Sequence, residues 1–187
     1  LVDLFSEEKE INLKNIYSHR KFKPTKALIT PIMLVALFYH WGLTLQFFVY
    51  AFLAIILIMD AFADIKAQII PNGLNFTGFL VGAVLIYYTT IQDAMAGVDL
   101  LLGMITGGGI FALIALFAYI AYKKEGMGMG DVKLMGALGL YFGLQSIVAI
   151  SVLAFLIGAI GSVIYMIINR KNANAYIPFG PFIVVSA

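Results

Sequence analysis

The residues of this chain best suited to chemistry are carboxylates set in apolar sequence. Asp131 closes the stretch Gly128-Met129-Gly130-Asp131, and Asp64 stands shortly before Ile70-Pro71-Asn72. An ionisable group at an apolar membrane-like segment is costly and is a functional candidate by default. Two carboxyl groups in unequal surroundings are what aspartic proteolysis requires. One, ionised, activates water; the other holds a proton and polarises the scissile carbonyl. Their titration belongs to the pair rather than to either residue. Asp131 follows two glycines and opens a helix, where free backbone N–H groups and the helix dipole favour the ionised form. Lys133 adds positive charge, so Asp131 is assigned the ionised role and Asp64 the protonated one. Gly128 and Gly130 permit close approach of another chain. Asp60, four residues before Asp64, lies on the same helical face but deeper; catalysis, support of Asp64 and a lumen-facing polar role all stay open for it. The bland alternative for Asp64 and Asp131 is interfacial anchoring or ion pairing with Lys66 and Lys133.

The elements that must position these residues are apolar helices. The chain has 187 residues, 62% hydrophobic and 12% charged, and its mean hydropathy is +0.98. Soluble domains carry about 45–50% apolar and about 25% charged residues. The expected fold is therefore all-α: a polytopic membrane helix bundle of six to seven spans. A bilayer core takes roughly 20 apolar residues per helix. On that measure spans are expected at 27–42, 44–63, 73–91, 98–122, 131–143 and 145–168, with a seventh beginning near 178. Residues 1–26 form a polar segment and 27–187 the bundle. Pro71 ends any regular helix before it, and Asn72 can cap the next. Gly103 and Gly107, like Ala154 and Gly158, have the helical spacing that lets helices approach closely. Gly107-Gly108-Gly109 weakens a helix and marks a kink or a close backbone approach, with packing the simpler account. The chain starts at Leu1 rather than Met and stops at Ala187 inside an apolar run, so truncation at both ends is expected.

The charges orient the spans. With alternating crossings, one side receives residues 1–26 and the loops 64–72, 123–133 and 169–177, and all 12 Lys and Arg residues fall there. The loops 40–44, 92–97 and 143–146 have none. Cytoplasmic loops collect Lys and Arg, which places Asp64 and Asp131 together on the cytoplasmic side. The short 131–143 segment must cross fully for this to hold, because re-entry would put Arg170 and Lys171 on the wrong side.

Three stretches, in order, resemble the motifs of type IV prepilin peptidases: Asp64-Ile65-Lys66 with Ile70-Pro71-Asn72, then Gly128-Met129-Gly130-Asp131-Val132-Lys133-Leu134, then Ile177-Pro178-Phe179-Gly180-Pro181-Phe182. The likeness covers residues 45–187 well and residues 10–35 loosely. It implies a GxGD-class aspartic endopeptidase of the cell's inner membrane, with Asp64 and Asp131 in the two catalytic positions and its active site facing the cytoplasm. It further implies cleavage of the short basic leader from prepilins, pseudopilins or preflagellin-like proteins, whose hydrophobic N-terminal helix lies in the lipid. Supporting positions are Asp60, Lys66, Pro71, Asn72, Gly128, Gly130, Lys133, Pro178 and Gly180, and Lys66 or Lys133 is a candidate contact for an acidic substrate residue. Many bacterial members carry cysteine pairs and also methylate the new N-terminus. This chain has no cysteine, so the resemblance is to the short forms and methyltransferase activity is not expected.

The absence of cysteine also excludes disulfides, thiol nucleophiles and cysteine–zinc sites. The two histidines, His19 and His40, are far apart. No metal, cofactor or nucleic-acid partner is expected. Two other classes of function compete: a proton- or cation-coupled small transporter, which would hold its acids near mid-bilayer at broken helices, and a non-catalytic scaffold for pilus or secretion assembly.

Overall fold

The computed structural model describes residues 29–68, 70–123, 127–168 and 178–187; the polar segment 1–26, Glu125 and the 169–177 loop lie outside them. The described residues form six helices and no strand: α1 (Ile29–Trp41), α2 (Leu45–Ala67), α3 (Asn72–Gln92), α4 (Ala94–Tyr122), α5 (Met129–Ile168) and α6 (Gly180–Ser186). The all-α expectation holds, and the span count is corrected downward. Four helices, α2 to α5, are long and apolar enough to cross a membrane. The segment near 27–42 yields the shorter α1, and the helix expected to begin near 178 is α6, starting at Gly180.

Local chemistry sets the helix ends. Thr44 caps α2, its Oγ1 accepting from Phe47 N, and Gln68 closes α2 in the left-handed region with its N–H on Asp64 O. Pro71 precedes α3, where its missing N–H is no loss, and its carbonyl accepts from Leu74 N and Asn75 N. The expected 92–97 loop shrinks to Asp93, which ends α3 and caps α4 by accepting from Met95 N at 2.9 Å.

The expected fifth and sixth spans are one helix in hydrogen-bonding terms, interrupted at Gly143 (φ 75, ψ −179). A straight helix of 40 residues would be about 60 Å long, twice a bilayer core of about 30 Å. Its contacts with α4 show that it doubles back. A side chain at Gly103 would strike Gly139 and Gly143, and one at Gly107 would strike Met135 and Ile147. Moving up α4, the partner therefore falls along 129–142 and rises along 144–168, so the two arms run in opposite directions. Positive φ at the reversal is a conformation glycine adopts without strain, and Asp99 Oδ1 caps the second arm by accepting from Leu144 N.

The close approach of α4 to α5 accounts for most of the glycine stripe. Gly107 and Gly108 face α5, whereas an added Cβ at Gly109 would meet nothing within 4 Å, and α4 runs through all three without a break. Gly139→Ala is expected to lower the thermal unfolding midpoint in detergent, because its methyl would overlap the Gly103 and Met104 backbone; overpacking of this kind costs about 1–3 kcal/mol. Gly109→Ala serves as the matched control and should leave the midpoint in place.

Contacts sort the turns into two ends. One end gathers the α2–α3 turn, the start of α5 and the start of α6 around Asp64 and Asp131. The other gathers residues 41–50, 92–99 and 141–144, tied by the stacked Trp41 and Tyr50 rings and by Tyr50 Oη donating to Tyr141 O. The described lysines, Lys66, Lys123 and Lys133, lie at the termini of the helices that form the first end.

Candidate active site

Asp64 lies in the last turn of α2 and Asp131 in the first turn of α5, and both line one open recess of about 280 Å³. Their side chains are 3% and 4% exposed. Ile70, Asn72, Gly128, Gly130 and Lys133 share the lining, together with Gln68, which the sequence reading passed over. Two groups distant in sequence thus face a common space, because α2 ends and α5 begins at the same level.

Their surroundings are unequal. Gly180 N donates to Asp64 Oδ2 at 2.7 Å. Asp131 Oδ1 is buried with no hydrogen-bond partner among the described residues, while its own N–H bonds Gly128 O at 3.1 Å. Ion pairing with Lys66 and Lys133, part of the bland alternative, is not seen among the described residues. Lys133 Nζ donates instead to Asn72 Oδ1 at 2.8 Å, and Lys66 is exposed and outside the recess. Gly130 must lack a side chain, since a Cβ there would sit 2.9 Å from Ile70 Cβ.

The remaining supporting positions fall around this frame. Pro71 lies at the α2–α3 turn, and Pro178 leads into α6, whose first residue, Gly180, touches Asp64. Asp60 is wholly buried one turn deeper than Asp64, and neither of its oxygens has a hydrogen-bond partner among the described residues. It does not line the recess. Asp60→Asn, equal in size and uncharged, should therefore keep the cleavage rate within about threefold; a tenfold loss in initial rate would bring Asp60 into the machinery.

Sequence reasoning missed Asn75. It is buried in the first turn of α3, and its Nδ2 donates to Gly130 O at 3.3 Å. A signal was available: Asn72 and Asn75 are one turn apart at the start of an otherwise apolar helix, a spacing that puts two polar groups on one face.

A family model described as the type IV leader peptidase family matches residues 51–163, which include Asp60, Asp64, Asn75 and Asp131 but not α6. The chain is 31% identical over 167 residues to a prepilin leader peptidase/N-methyltransferase of Legionella pneumophila, covering 87% of this chain and 56% of that protein. A second protein of the same name, from Bacillus subtilis, is 30% identical over 166 residues, 88% of this chain and 63% of the relative. Leader peptidase HopD of Salmonella typhimurium is 31% identical over 125 residues, 66% of this chain and 78% of the relative. The chain thus spans little more than half the length of the prepilin peptidase relatives it matches. No solved structure matches.

Proposed function

Because the chain belongs to the type IV leader peptidase family, we propose that it is a multi-pass aspartic endopeptidase that removes the basic leader of prepilin-like substrates. The observation that carries this reading is the pairing of Asp64 and Asp131 in one recess at the lysine-bearing end of the bundle. Lys and Arg collect on the cytoplasmic side, so the recess opens to the cytoplasm of a cell whose inner membrane holds the protein. The substrate's hydrophobic helix lies in the lipid, and its leader reaches the recess from the same side.

The chemistry follows from the unequal carboxyl groups. Each carboxyl meets a backbone N–H, Gly180 at Asp64 and Gly128 at Asp131. Of the two it is Asp131 that keeps a buried oxygen with no hydrogen-bond partner among the described residues, which disfavours its ionised form, so Asp64 takes the role of base and Asp131 that of acid. This reverses the division expected from the sequence. Asp64 accepts a proton from water as its oxygen attacks the scissile carbonyl carbon, and Asp131 gives its proton to the carbonyl oxygen. The tetrahedral diol then collapses: the C–N bond breaks, the leaving amine takes the proton from Asp64, and Asp131 recovers its own. No metal or cofactor enters these steps. Methyl transfer, which the names of several relatives include, is not proposed for these 187 residues, which contain no cysteine.

The acids cluster at one end of the bundle rather than midway along it, which disfavours the transporter reading. The test is incubation of the purified protein, in detergent or liposomes, with a substrate carrying a short basic leader ahead of a hydrophobic helix. Mass spectrometry should find one cut at the leader–helix junction. An uncut substrate, or cuts scattered along the leader, would sink the proposal.

A further inference from the structure

We propose that Asn75 is a positioning residue for Asp131, acting through the peptide group that joins Gly130 to Asp131. The proposal rests on Asp131 being one of the two catalytic carboxyls. That peptide group is gripped at both ends. Its carbonyl, Gly130 O, accepts from Asn75 Nδ2 at 3.3 Å, and its N–H, that of Asp131, donates to Gly128 O at 3.1 Å. Only the amide NH2 of Asn75 can satisfy a carbonyl, so the acceptor fixes which way the side chain is turned.

Two backbone handles act on Asp131: the Gly128 N–H meets its carboxyl, and the Gly130–Asp131 peptide group sets where that carboxyl starts from. Its Oδ1 has no hydrogen-bond partner among the described residues, so that oxygen is not aimed by a bond of its own. Its direction follows from the Cα position, the tilt of the preceding peptide plane and the Gly128 contact of the same carboxyl. Asn75 sets that tilt from an anchored base: its own N–H and that of Leu74 bond Pro71 O, and neighbouring Ile70 packs against Gly130. A second tie, Lys133 Nζ to Asn72 Oδ1, joins the same two segments on the exposed side. Exposed polar pairs contribute little, which leaves the part-buried Asn75 bond as the stronger of the two ties between these segments.

Asn75 is not there for the core. It is 2% exposed, and its Oδ1 is buried without a partner among the described residues. A buried polar atom left unpaired is unfavourable, so an apolar residue of similar size would suit packing better. The donated bond to Gly130 is what the asparagine supplies.

The test compares wild type with Asn75→Leu, which keeps the volume and removes the donor, and Asn75→Ala, a smaller change that protects against misfolding of the first. Cleavage kinetics should show kcat lower by about 10- to 100-fold, the scale of a displaced catalytic group, with KM within about threefold. A packing role alone would lower folded yield while leaving kcat of the folded fraction intact. A second readout needs no substrate: labelling by a hydrophobic carbodiimide, quantified by peptide mass spectrometry at Asp131 and Asp64. Release of the peptide group should raise the Asp131-to-Asp64 labelling ratio about threefold or more, since the two carboxyls would no longer share one fixed frame. An unchanged kcat in both variants, a loss confined to KM, or an unchanged labelling ratio overturns the proposal. If wild type cleaves no leader, the peptidase reading fails, and the labelling ratio still decides the role of Asn75.

Discussion

Asp64→Asn and Asp131→Asn are each expected to abolish leader cleavage while the bundle stays folded. Each substitution exchanges one carboxyl oxygen for an amide of the same size, which removes the capacity to take up or release a proton. The loss of one acid–base group costs roughly 10²- to 10⁴-fold. Because the two carboxyls act as a unit, the double variant should be no worse than either single one. Folding is expected to survive for a reason specific to each site. The amide side chain introduced by Asp64→Asn would keep a carbonyl oxygen for the Gly180 N–H that now meets Asp64 Oδ2. At position 131 the buried Oδ1 has no partner to lose among the described residues. Thermal unfolding should therefore move by less than about 1 kcal/mol equivalent, since no packing volume changes. The measurement pairs initial cleavage rates with unfolding midpoints. Residual cleavage above a few per cent of wild type, in either variant with a wild-type midpoint, removes that residue from the dyad.

What the sequence made legible, and what it hid, divides along physical lines. Asp64 and Asp131 could be found because charge is rare in apolar sequence, and because their neighbours Pro71 and Gly130 mark helix ends. That they share a recess follows from helices ending at one level, which hydrophobic run lengths and the lysine distribution already encode. The fold-back at Gly143 is the expected boundary between a short span, 131–143, and the next, 145–168, and its left-handed backbone is what allows the reversal. The span count of six to seven ran a little high. The first segment gives α1 of only 13 residues, while a helix, α6, does begin near 178. Lys133 was read as a partner for Asp131 on proximity in sequence, but residues two apart on a helix do not face each other, so it reaches Asn72 instead. Asn75 and Gln68 were passed over because a single polar residue at a helix end is ordinary until the opposite segment is known. The bond from Gly180 to Asp64 joins residues 116 positions apart. No local pattern carries that distance; the resemblance marked Gly180 as important, and only packing says what it touches.

Gly180→Ala is expected to lower kcat by about 100-fold, the effect of shifting a catalytic group by roughly 1 Å, with a much smaller change in KM. The added Cβ would lie 2.8 Å from Asp64 Oδ2 and 3.2 Å from both Cβ and Cγ of Asp64. One partner must move, and the segment carrying Gly180 is the more firmly seated. Phe179 packs against Phe155 and Phe111, with ring centroids 5.4 and 6.0 Å apart. Ile183 is fully buried one turn on, and the Phe179 and Phe182 rings fill the space over Gly158 and Gly161. Retreat of this segment would open several aromatic contacts at once, each worth about 0.5–1.5 kcal/mol. Rotation of one aspartate side chain away from its rotamer costs about the same as a single such contact. The carboxylate therefore turns, its bond to Gly180 N–H lengthens, and the pair loses its alignment, while the surfaces that bind substrate stay as they are. Gly73→Ala is the matched control: it lies in the first turn of α3, at the same end of the bundle, and an added Cβ there meets nothing within 4 Å. It should cleave at the wild-type rate. If Gly180→Ala keeps its kcat, the segment yields more easily than Asp64, and α6 does not hold the carboxylate. A loss confined to the unfolding midpoint leads to the same conclusion, because the collision would then be absorbed in packing rather than at the site.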